Sequence, residues 1–469
     1  MSLELEDLAI MGMGIESVQV RKGGFEILTP GAEVTLEADG MLTVQQLIGV
    51  KRKLFSCLLS SHLAPWRLSR WTPFRCVLTG NGLTLTIQGD SVLIFAPQQH
   101  MKLTFNGYFK LQYAQEVRGN RLLLDTMGGC GFFNIPRRPT EFKDLKDSSW
   151  NVGYHLTRWD ELWVSVCPPR PRDEEKYYLS IAHEGGSRGS LKYLYPSNEL
   201  IRSAAKHCQI FTVHSGWEID APEWSENPPG GSYPHPRPWE TDRHIPANPN
   251  EFFRVRDEAH RLGMKFIPYL SPLYSNAPDV FAEMERVLRE YEVDGLYLDG
   301  WICGPERDDF RPGYYLMRRA RAILGDRLLY LHSSMEPYGT CRVYLPFVYA
   351  YADFVLSGEN SRFGLGTEEF LQYTVRQHQI SNSVGMWCYY GSCSDEPGYG
   401  AWIDKEPVYQ FNVPTSEHIE MALSKHIRFW RTEGEGLVGG GGWHSFPEEL
   451  TRFDREYYGR LARLRAENK

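Results

Sequence analysis

The sequence predicts a two-part α/β protein, in which an antiparallel β-sandwich precedes a (β/α)8 TIM-like barrel. Three observations support this fold class. Short segments of alternating polarity fill the first part of the chain, a Gly- and Ser-rich stretch follows at 185–190, and beyond it apolar strands alternate with amphipathic helices. We therefore expect a sandwich over residues 1–188 and a barrel with C-terminal helices over residues 189–469.

The N-terminal part consists of short strands separated by turn residues. Leu83–Ile87 alternates apolar and hydroxyl side chains, and Ser91–Phe95 follows after a Gly-Asp turn. Glu161–Val166 and Tyr177–Ile181 are two later segments of the same kind. Strands of this length and spacing are typical of two packed antiparallel sheets.

The second part repeats a strand, a loop and a helix. Its strands are largely apolar, as in parallel sheets covered on both faces, and are predicted at Gln209–Val213, Met264–Leu270, Leu296–Leu298, Arg327–Leu331, Ala352–Leu356 and Val384–Tyr389. Six or more such units most often close into a barrel. The C-terminal part, with a helix expected near Ser416–Arg431, indicates a seventh and an eighth strand only weakly. An open doubly wound sheet is the alternative, although no glycine-rich phosphate turn follows the first strand.

The helices of this part carry their own start and stop signals. Asn248 is a good N-cap, Pro249 suits the first helical position, and Gly263 predicts the end of that helix. Apolar residues recur at the helical period over 278–291. Two more helices are expected at Tyr314–Leu324 and Thr367–Gln379.

Composition and charge exclude several classes of partner. The 469-residue chain has a net charge of −8 and no basic run, which argues against nucleic acid and anionic membrane surfaces as partners. The acidic N-terminus and the lack of a long apolar run predict a cytoplasmic protein without a signal peptide or transmembrane segment. The 9 cysteines form no paired CxxC motif, so we expect no structural metal and no cofactor. The number of subunits is not predicted.

Asp299 is the leading candidate for a catalytic residue. It follows the buried segment Leu296–Leu298 and precedes Gly300 and Trp301. Carboxyl ends of barrel strands converge on one mouth, glycine allows a ligand to approach closely, and an indole suits the apolar face of a sugar ring. Aspartates at strand ends also commonly cap helices or fix turns, and that reading stays open for Asp299.

A second carboxylate is needed for glycoside hydrolysis, which uses one ionised and one protonated group on opposite sides of the scissile bond. Glu359 follows the strand Ala352–Leu356 and is the preferred partner of Asp299. Glu336, Asp353 and Asp395 are rivals for this role, and a solvated loop carboxylate is the alternative reading of Glu359.

The ends of the predicted strands supply aromatic and polar side chains suited to carbohydrate. Aromatic rings stack on sugar C–H faces, and polar groups bind hydroxyls. The predicted substrate-binding residues are His214, Trp217, Asp220, Tyr274, Trp301, His332, Glu336 and Trp387. Trp387 could equally be an ordinary core residue.

Two other function classes remain open on the sequence alone. A metal-dependent hydrolase would use His214, His332 and Asp299 as ligands, although none of these belongs to an HxH or HExxH motif. A non-catalytic carbohydrate-binding protein would keep the aromatic rings but separate Asp299 and Glu359 too widely to flank one bond.

Four segments resemble the α-galactosidase superfamily of retaining glycoside hydrolases. They are Ser215-Gly216-Trp217, the helix from Asn248-Pro249 to Gly263-Met264-Lys265, the stretch Val293–Asp299 and Ser357-Gly358-Glu359. The resemblance covers roughly residues 195–365 and implies a (β/α)8 barrel, with Asp299 as nucleophile and Glu359 as acid/base. His214-Ser215 stands where two aspartates are usual in that superfamily, which puts galactose specificity in doubt, and Glu359 stands where an aspartate is usual.

Overall fold

The computed structural model describes most of the chain with several gaps. The described residues are 10, 12–59, 65–117, 119–136, 141–145, 149–185, 195–214, 216–217, 243–272, 277–299, 309–333, 345–357, 371–376, 380–387, 391–392, 409–410, 413–431 and 447–467.

Among its described residues, the first part contains sixteen short strands. They are β1 (Ser17–Arg21), β2 (Gly24–Leu28), β3 (Ala32–Leu36), β4 (Met41–Gln46), β5 (Arg52–Leu58), β6 (Arg67–Trp71), β7 (Arg75–Gly80), β8 (Leu83–Gln88), β9 (Val92–Pro97), β10 (Met101–Gly107), β11 (Tyr113–Val117), β12 (Asn120–Asp125), β13 (Gly128–Ile135), β14 (Glu141–Asp144), β15 (Trp150–Leu156) and β16 (Glu161–Cys167).

These strands form two antiparallel sheets of eight strands each. One has the order β1-β2-β3-β4-β5-β10-β15-β14, and the other β11-β12-β13-β16-β9-β8-β7-β6. In β8, Leu83, Leu85 and Ile87 are buried while the threonines between them are half-buried, as the alternating pattern predicts. The inward-facing residues of both sheets share one hydrophobic core, so the expected sandwich arrangement is confirmed.

The second part contains a closed barrel of eight parallel strands. They are β17 (Ile181–Gly185), β18 (Ile210–His214), β19 (Lys265–Leu270), β20 (Gly295–Leu298), β21 (Leu328–Ser333), β22 (Phe354–Ser357), β23 (Val384–Trp387) and β26 (Arg428–Arg431). The intervening β24 (Gly391–Ser392) and β25 (Tyr409–Gln410) form a separate antiparallel pair.

Nine α-helices and two short π-helices are described in the chain. The α-helices are α1 (Glu174–Tyr177), α2 (Asn198–Ala205), α3 (Pro249–Arg261), α4 (Val280–Glu290), α5 (Arg311–Leu324), α6 (Pro346–Tyr349), α7 (Ser416–Ser424), α8 (Pro447–Phe453) and α9 (Gly459–Glu467), and the π-helices are Leu371–Val375 and Asp454–Tyr458. The predicted signals around α3 are confirmed, because Asn248 Oδ1 accepts from the Glu251 amide and Gly263 has φ +79°. None of the described helices combines the length and apolar composition needed to cross a bilayer.

Three predicted elements need correction. Tyr177–Ile181 is not a sandwich strand, because Tyr177 ends α1 and Ile181 begins the first barrel strand. The barrel therefore starts before the predicted boundary at 188/189, and Gln209–Val213 corresponds to its second strand, β18. The helix expected to reach Arg431 ends at Ser424, and Arg428–Arg431 is the eighth strand. These three errors have one cause: the pairing of strands decides which segments belong to the barrel, and the sequence of a short apolar segment does not reveal its pairing partner.

Each barrel strand is buried on both faces. Alternate residues such as Tyr297 in β20 and Tyr330 in β21 point inward and stack with ring centroids 4.5 Å apart. Their neighbours Leu296 and Leu329 belong to a second core under the helices. This second core also includes residues of the sandwich, so one apolar layer joins the two parts.

The sandwich is fixed to the barrel by aromatic and polar contacts. Trp163 of β16 packs edge-on against Phe310 and Tyr314 at centroid distances of 5.1 and 5.2 Å. The buried Asp90 accepts hydrogen bonds from the hydroxyls of Tyr314, at 2.9 Å, and Tyr351, at 2.8 Å. Burial raises the pKa of Asp90, although both hydroxyls and the Arg318 guanidinium oppose this.

Candidate active site

Asp299 lies at the carboxyl end of β20, the fourth strand of the barrel. Its amide donates to the Leu270 carbonyl at 3.2 Å, which extends the pairing of β19 and β20 by one residue. Because Tyr297 points inward, the two-residue period of a strand directs Asp299 inward as well. Asp299 therefore lies at the barrel mouth, where the sequence predicts it.

Two side chains from neighbouring strands hold the Asp299 carboxylate. His332 of β21 places Nδ1 2.9 Å from Asp299 Oδ1, and the Tyr269 hydroxyl of β19 donates to Oδ2 at 3.3 Å. A carboxylate only accepts hydrogen bonds, so Nδ1 is the donor in the first contact. The Asp299 side chain is 16% exposed and that of His332 is 15% exposed. Asp299 is thus oriented through both oxygens while it stays accessible from the mouth.

An aromatic layer lies one inward position below this pair. Tyr297 and Tyr330 stack there, and the buried His183 of β17 contacts Tyr297 at 4.9 Å and Trp430 at 4.0 Å between ring centroids. These rings fill the barrel interior, as is usual for a barrel of eight strands. A ligand would therefore meet Asp299 from the open end.

Trp217 does not line the mouth, so its prediction as a sugar platform is wrong. The side chain is 1% exposed, and its indole N–H donates to the Tyr269 carbonyl at 2.8 Å. The ring packs against Phe252 of α3 and Tyr291 after α4, at 5.5 and 6.2 Å. Trp217 therefore fills the layer between the strands and the helices.

Trp387 is also a core residue, and the predicted role in substrate binding is wrong for the same reason. It is 1% exposed and stacks on Phe429 of the neighbouring β26 at 5.2 Å. Its ring also contacts His418 of α7 at 5.7 Å. Phe429 itself packs against Phe453 and Tyr457, so these contacts place the Trp387 ring on the helix side of β23.

Asp353 is excluded as a rival for the acid/base role. It precedes β22, at the end of the barrel opposite Asp299, and the carboxylate binds Lys176 Nζ at 2.9 Å and Arg321 Nη2 at 2.8 Å. The Leu329 amide also donates to it at 2.8 Å. Although burial raises the pKa of Asp353, these partners outweigh it and lower the pKa below its usual value.

Several predicted site residues lie outside the described part of the chain. They are Glu359, Asp220, Tyr274, Trp301, Glu336 and Asp395. His214 is the last residue of β18, and its side chain is likewise not described. The predictions for these residues stay predictions.

Tyr269 is a site residue that the sequence analysis did not identify. It lies within the predicted strand Met264–Leu270, whereas most of the predicted site residues follow the end of a strand. The alternation of side chains along β19 could have identified it. Tyr269 lies on the same face of the strand as Ser271, a polar residue two positions further on.

In the ranges that the structure describes, no group of three or more His, Cys, Asp or Glu side chains is placed to hold a metal ion. A surface depression of about 570 Å³ lies at the other end of β20, between α4 and α5. It includes Asp294 and Arg327 and is separate from Asp299.

No protein-family model and no curated protein matches the chain. Among solved structures, the cycloalternan-forming enzyme from Listeria monocytogenes with a pentasaccharide substrate is 10% identical, with a TM-score of 0.38, over 90% of this chain and 51% of that one. The Flavobacterium johnsoniae GH31 dextranase complexed with glucose is 9% identical, with a TM-score of 0.32, over 74% and 56%. The glucosidase II alpha subunit is 7% identical, with a TM-score of 0.43, over 98% and 70%. The chain spans about half the length of the Listeria enzyme. None of these three descriptions names an α-galactosidase.

Proposed function

We propose that this protein is a glycoside hydrolase that cleaves α-glycosidic bonds with retention of configuration, on a (β/α)8 barrel. The observation that carries the proposal is the Asp299 carboxylate at the carboxyl end of the fourth barrel strand, held by His332 and Tyr269 and partly open to the mouth. A nucleophilic carboxylate has to be oriented and accessible, and this arrangement supports both requirements. The resemblance of Val293–Asp299 to the nucleophile strand of the α-galactosidase superfamily supports the choice of α-linkages.

In the proposed mechanism, Asp299 attacks the anomeric carbon while Glu359 gives its proton to the leaving oxygen. The glycosidic C–O bond breaks and a covalent glycosyl-enzyme forms. Glu359 then removes a proton from water, which attacks the same carbon and releases Asp299 as a carboxylate.

Strand order supports Glu359 as the second carboxylate. It follows Ser357, the last residue of β22, by two positions, and β22 lies two strands from β20 in the barrel. Neighbouring strands are about 4.8 Å apart, so residues two strands apart start about 10 Å from each other. Two side chains that extend toward the same axis shorten this separation toward the roughly 5–5.5 Å that retention requires.

His332 has a different role in this proposal from the predicted contact with a sugar hydroxyl. Its Nδ1 is engaged with Asp299, so His332 positions the nucleophile. Trp301, Tyr274, Asp220 and Glu336 remain the proposed contacts with the carbohydrate.

The test is a screen of aryl α- and β-glycosides with the wild type, Asp299→Ala and Glu359→Gln. We expect both variants to lose most of the activity, and azide to restore turnover of Asp299→Ala with a glycosyl azide as product. Asp294→Asn is the matched control, because Asp294 lies at the opposite end of β20 and binds His260 at 2.7 Å.

Three results would contradict the proposal. Full activity of Asp299→Ala would reject Asp299 as the nucleophile. Activity lost to a chelator and restored by zinc would favour a metal-dependent hydrolase. Binding of oligosaccharides without turnover of any glycoside would indicate a non-catalytic carbohydrate-binding protein.

A further inference from the structure

The turn between β15 and β16 presents Trp159 to solvent. Trp159 is 73% exposed, more than any other large apolar residue in the ranges that the structure describes. Most tryptophans bury the greater part of the indole, because the ring carries a large apolar surface. The Arg158 guanidinium lies over this ring, 4.5 Å from its centroid. The turn therefore offers an aromatic surface with a cation beside it.

Hydrogen bonds fix the backbone of this turn. Asp160 is 2% exposed, and its Oδ2 accepts from the amide of Thr157 at 2.6 Å and from the Thr157 hydroxyl at 2.9 Å. The Asp160 amide donates to the Thr157 carbonyl at 3.0 Å, and the Trp159 amide donates to Thr157 Oγ1 at 3.4 Å. The indole is thus carried on a fixed backbone, which lowers the entropy cost of binding a ligand there.

The turn lies at the same end of the molecule as the barrel mouth. β16 begins directly after it, and Glu161 Oε2 is 3.6 Å from Nη1 of Arg311, the first residue of α5. Arg321, ten residues further along α5, binds Asp353 at the base of the barrel. At 1.5 Å per residue, Arg311 is about 15 Å nearer to the mouth end. Glu161, and the turn before it, therefore belong to that end.

The opposite end of β16 gives the same direction. The chain continues from Cys167 to Arg170, whose Nε donates to the Ala350 carbonyl at 2.6 Å and whose Nη2 donates to the Ala352 carbonyl at 2.9 Å. Ala352 directly precedes Asp353, at the base of the barrel. β16 thus runs from the mouth end to the base, and Trp159 lies before its mouth end.

An exposed indole beside a guanidinium suits a carbohydrate ligand. The flat apolar ring packs against the C–H face of a pyranose, and guanidinium N–H groups donate to sugar hydroxyls. Single apolar residues are common on protein surfaces. Trp159 differs from an ordinary surface residue by its high exposure, its fixed turn and its position at the end of the molecule where a substrate would enter.

We propose that Trp159 and Arg158 form an accessory carbohydrate-binding site on the sandwich, outside the barrel mouth. One face of the indole lies under Arg158, and the opposite face stacks on a sugar ring. The site holds units of an oligosaccharide or polysaccharide that are remote from the scissile bond. The inference rests on the proposed function for the class of ligand, and it extends that function from small glycosides to longer glycan chains.

The experiment is native affinity electrophoresis of the full-length chain in gels that contain soluble starch, dextran or galactomannan, three polymers with α-linked sugars. Every protein carries Asp299→Ala, so that the polymer is not degraded during the run. We expect at least one polymer to retard this parent protein. Adding Trp159→Ala should raise the dissociation constant for that polymer at least about tenfold, because the stacking surface is lost.

Trp71→Ala, in the same background, is the matched control. Trp71 is also exposed, at 55%, but it lies on the edge strand β6, four strands from β16 in the same sheet. Its replacement removes an equally large ring from the sandwich surface and should leave the dissociation constant unchanged.

Two outcomes would overturn the inference. One is that none of the three polymers retards the parent protein. The other is that Trp159→Ala is retarded as strongly as Trp71→Ala, which would assign the binding to another surface. Failure of the proposed function gives a different result, since no aryl glycoside would then be turned over by the wild type while retardation still depended on Trp159.

Discussion

Asp353→Asn is expected to unfold the barrel at lower denaturant concentration without a direct effect on catalysis. The Asp353 carboxylate is 5% exposed and joins three parts of the chain, namely Lys176 of α1, Arg321 of α5 and the Leu329 amide of β21. Asparagine keeps the shape of the aspartate side chain, and its carbonyl oxygen can still accept a hydrogen bond from the Leu329 amide. It leaves Arg321 without a carboxylate partner among the described residues, and Lys176 with Asp173 alone, at 3.5 Å.

The magnitude follows from the burial of these charges. Removing one partner from a buried ion pair costs about 3–5 kcal/mol, since the remaining charge stays desolvated. The assay is urea unfolding followed by tryptophan fluorescence, with the barrel transition fitted separately if two transitions occur. The matched control is Asp257→Asn, because Asp257 binds Arg256 at 2.7 Å but its side chain is 63% exposed.

The control should change the stability by about 0.5 kcal/mol or less. If Asp353→Asn shifts the midpoint no more than Asp257→Asn, the carboxylate does not hold the base of the barrel together. If it instead abolishes activity with unchanged stability, Asp353 returns as a candidate for the acid/base.

The same contacts predict a pH dependence. The pKa of Asp353 is lowered in the folded protein, so its contribution to stability is present above the unfolded pKa, about 3.9. This contribution is lost as the pH falls through the lower folded value. The difference in unfolding free energy between the wild type and Asp353→Asn should therefore be constant near neutral pH and shrink only in strong acid.

Two further predictions concern the mouth and the helix layer. His332→Ala should lower kcat about 10²-fold in steady-state assays, with little change in KM, because the Asp299 carboxylate loses its 2.9 Å partner and its orientation. A large rise in KM with unchanged kcat would instead assign His332 to the substrate. Trp217→Ala should destabilise the protein by about 3–5 kcal/mol through the cavity that it leaves, measured by urea unfolding, while the KM of the folded enzyme stays the same. Loss of substrate affinity without loss of stability would contradict its placement in the core.

The sequence was informative where local patterns have a single structural meaning. The alternation in Leu83–Ile87 and the signals at Asn248 and Gly263 were sufficient for β8 and for the bounds of α3. Tyr177–Ile181 failed because a short apolar segment fits a helix end, an antiparallel strand or a parallel strand equally well. Only its pairing with β18 and β26 makes Ile181–Gly185 the first barrel strand.

In the candidate site, too, some positions could be predicted from the sequence and others could not. Asp299 was predicted correctly at the barrel mouth because parallel strands share one carboxyl end. Trp217 and Trp387 were assigned to the mouth from their sequence position, yet both face the helices. A barrel strand is apolar on both faces, so its sequence does not distinguish the inward from the outward side.

By itself, the sequence determined that strands alternate with helices after a β-rich part, and that a carboxylate ends the strand Leu296–Leu298. Only the tertiary structure decided which strands close the barrel and which side chains meet Asp299. His332 and Tyr269 lie far from one another in sequence, and they converge on one carboxylate because β19, β20 and β21 are neighbours in register. That register depends on long-range pairing, which no local pattern encodes.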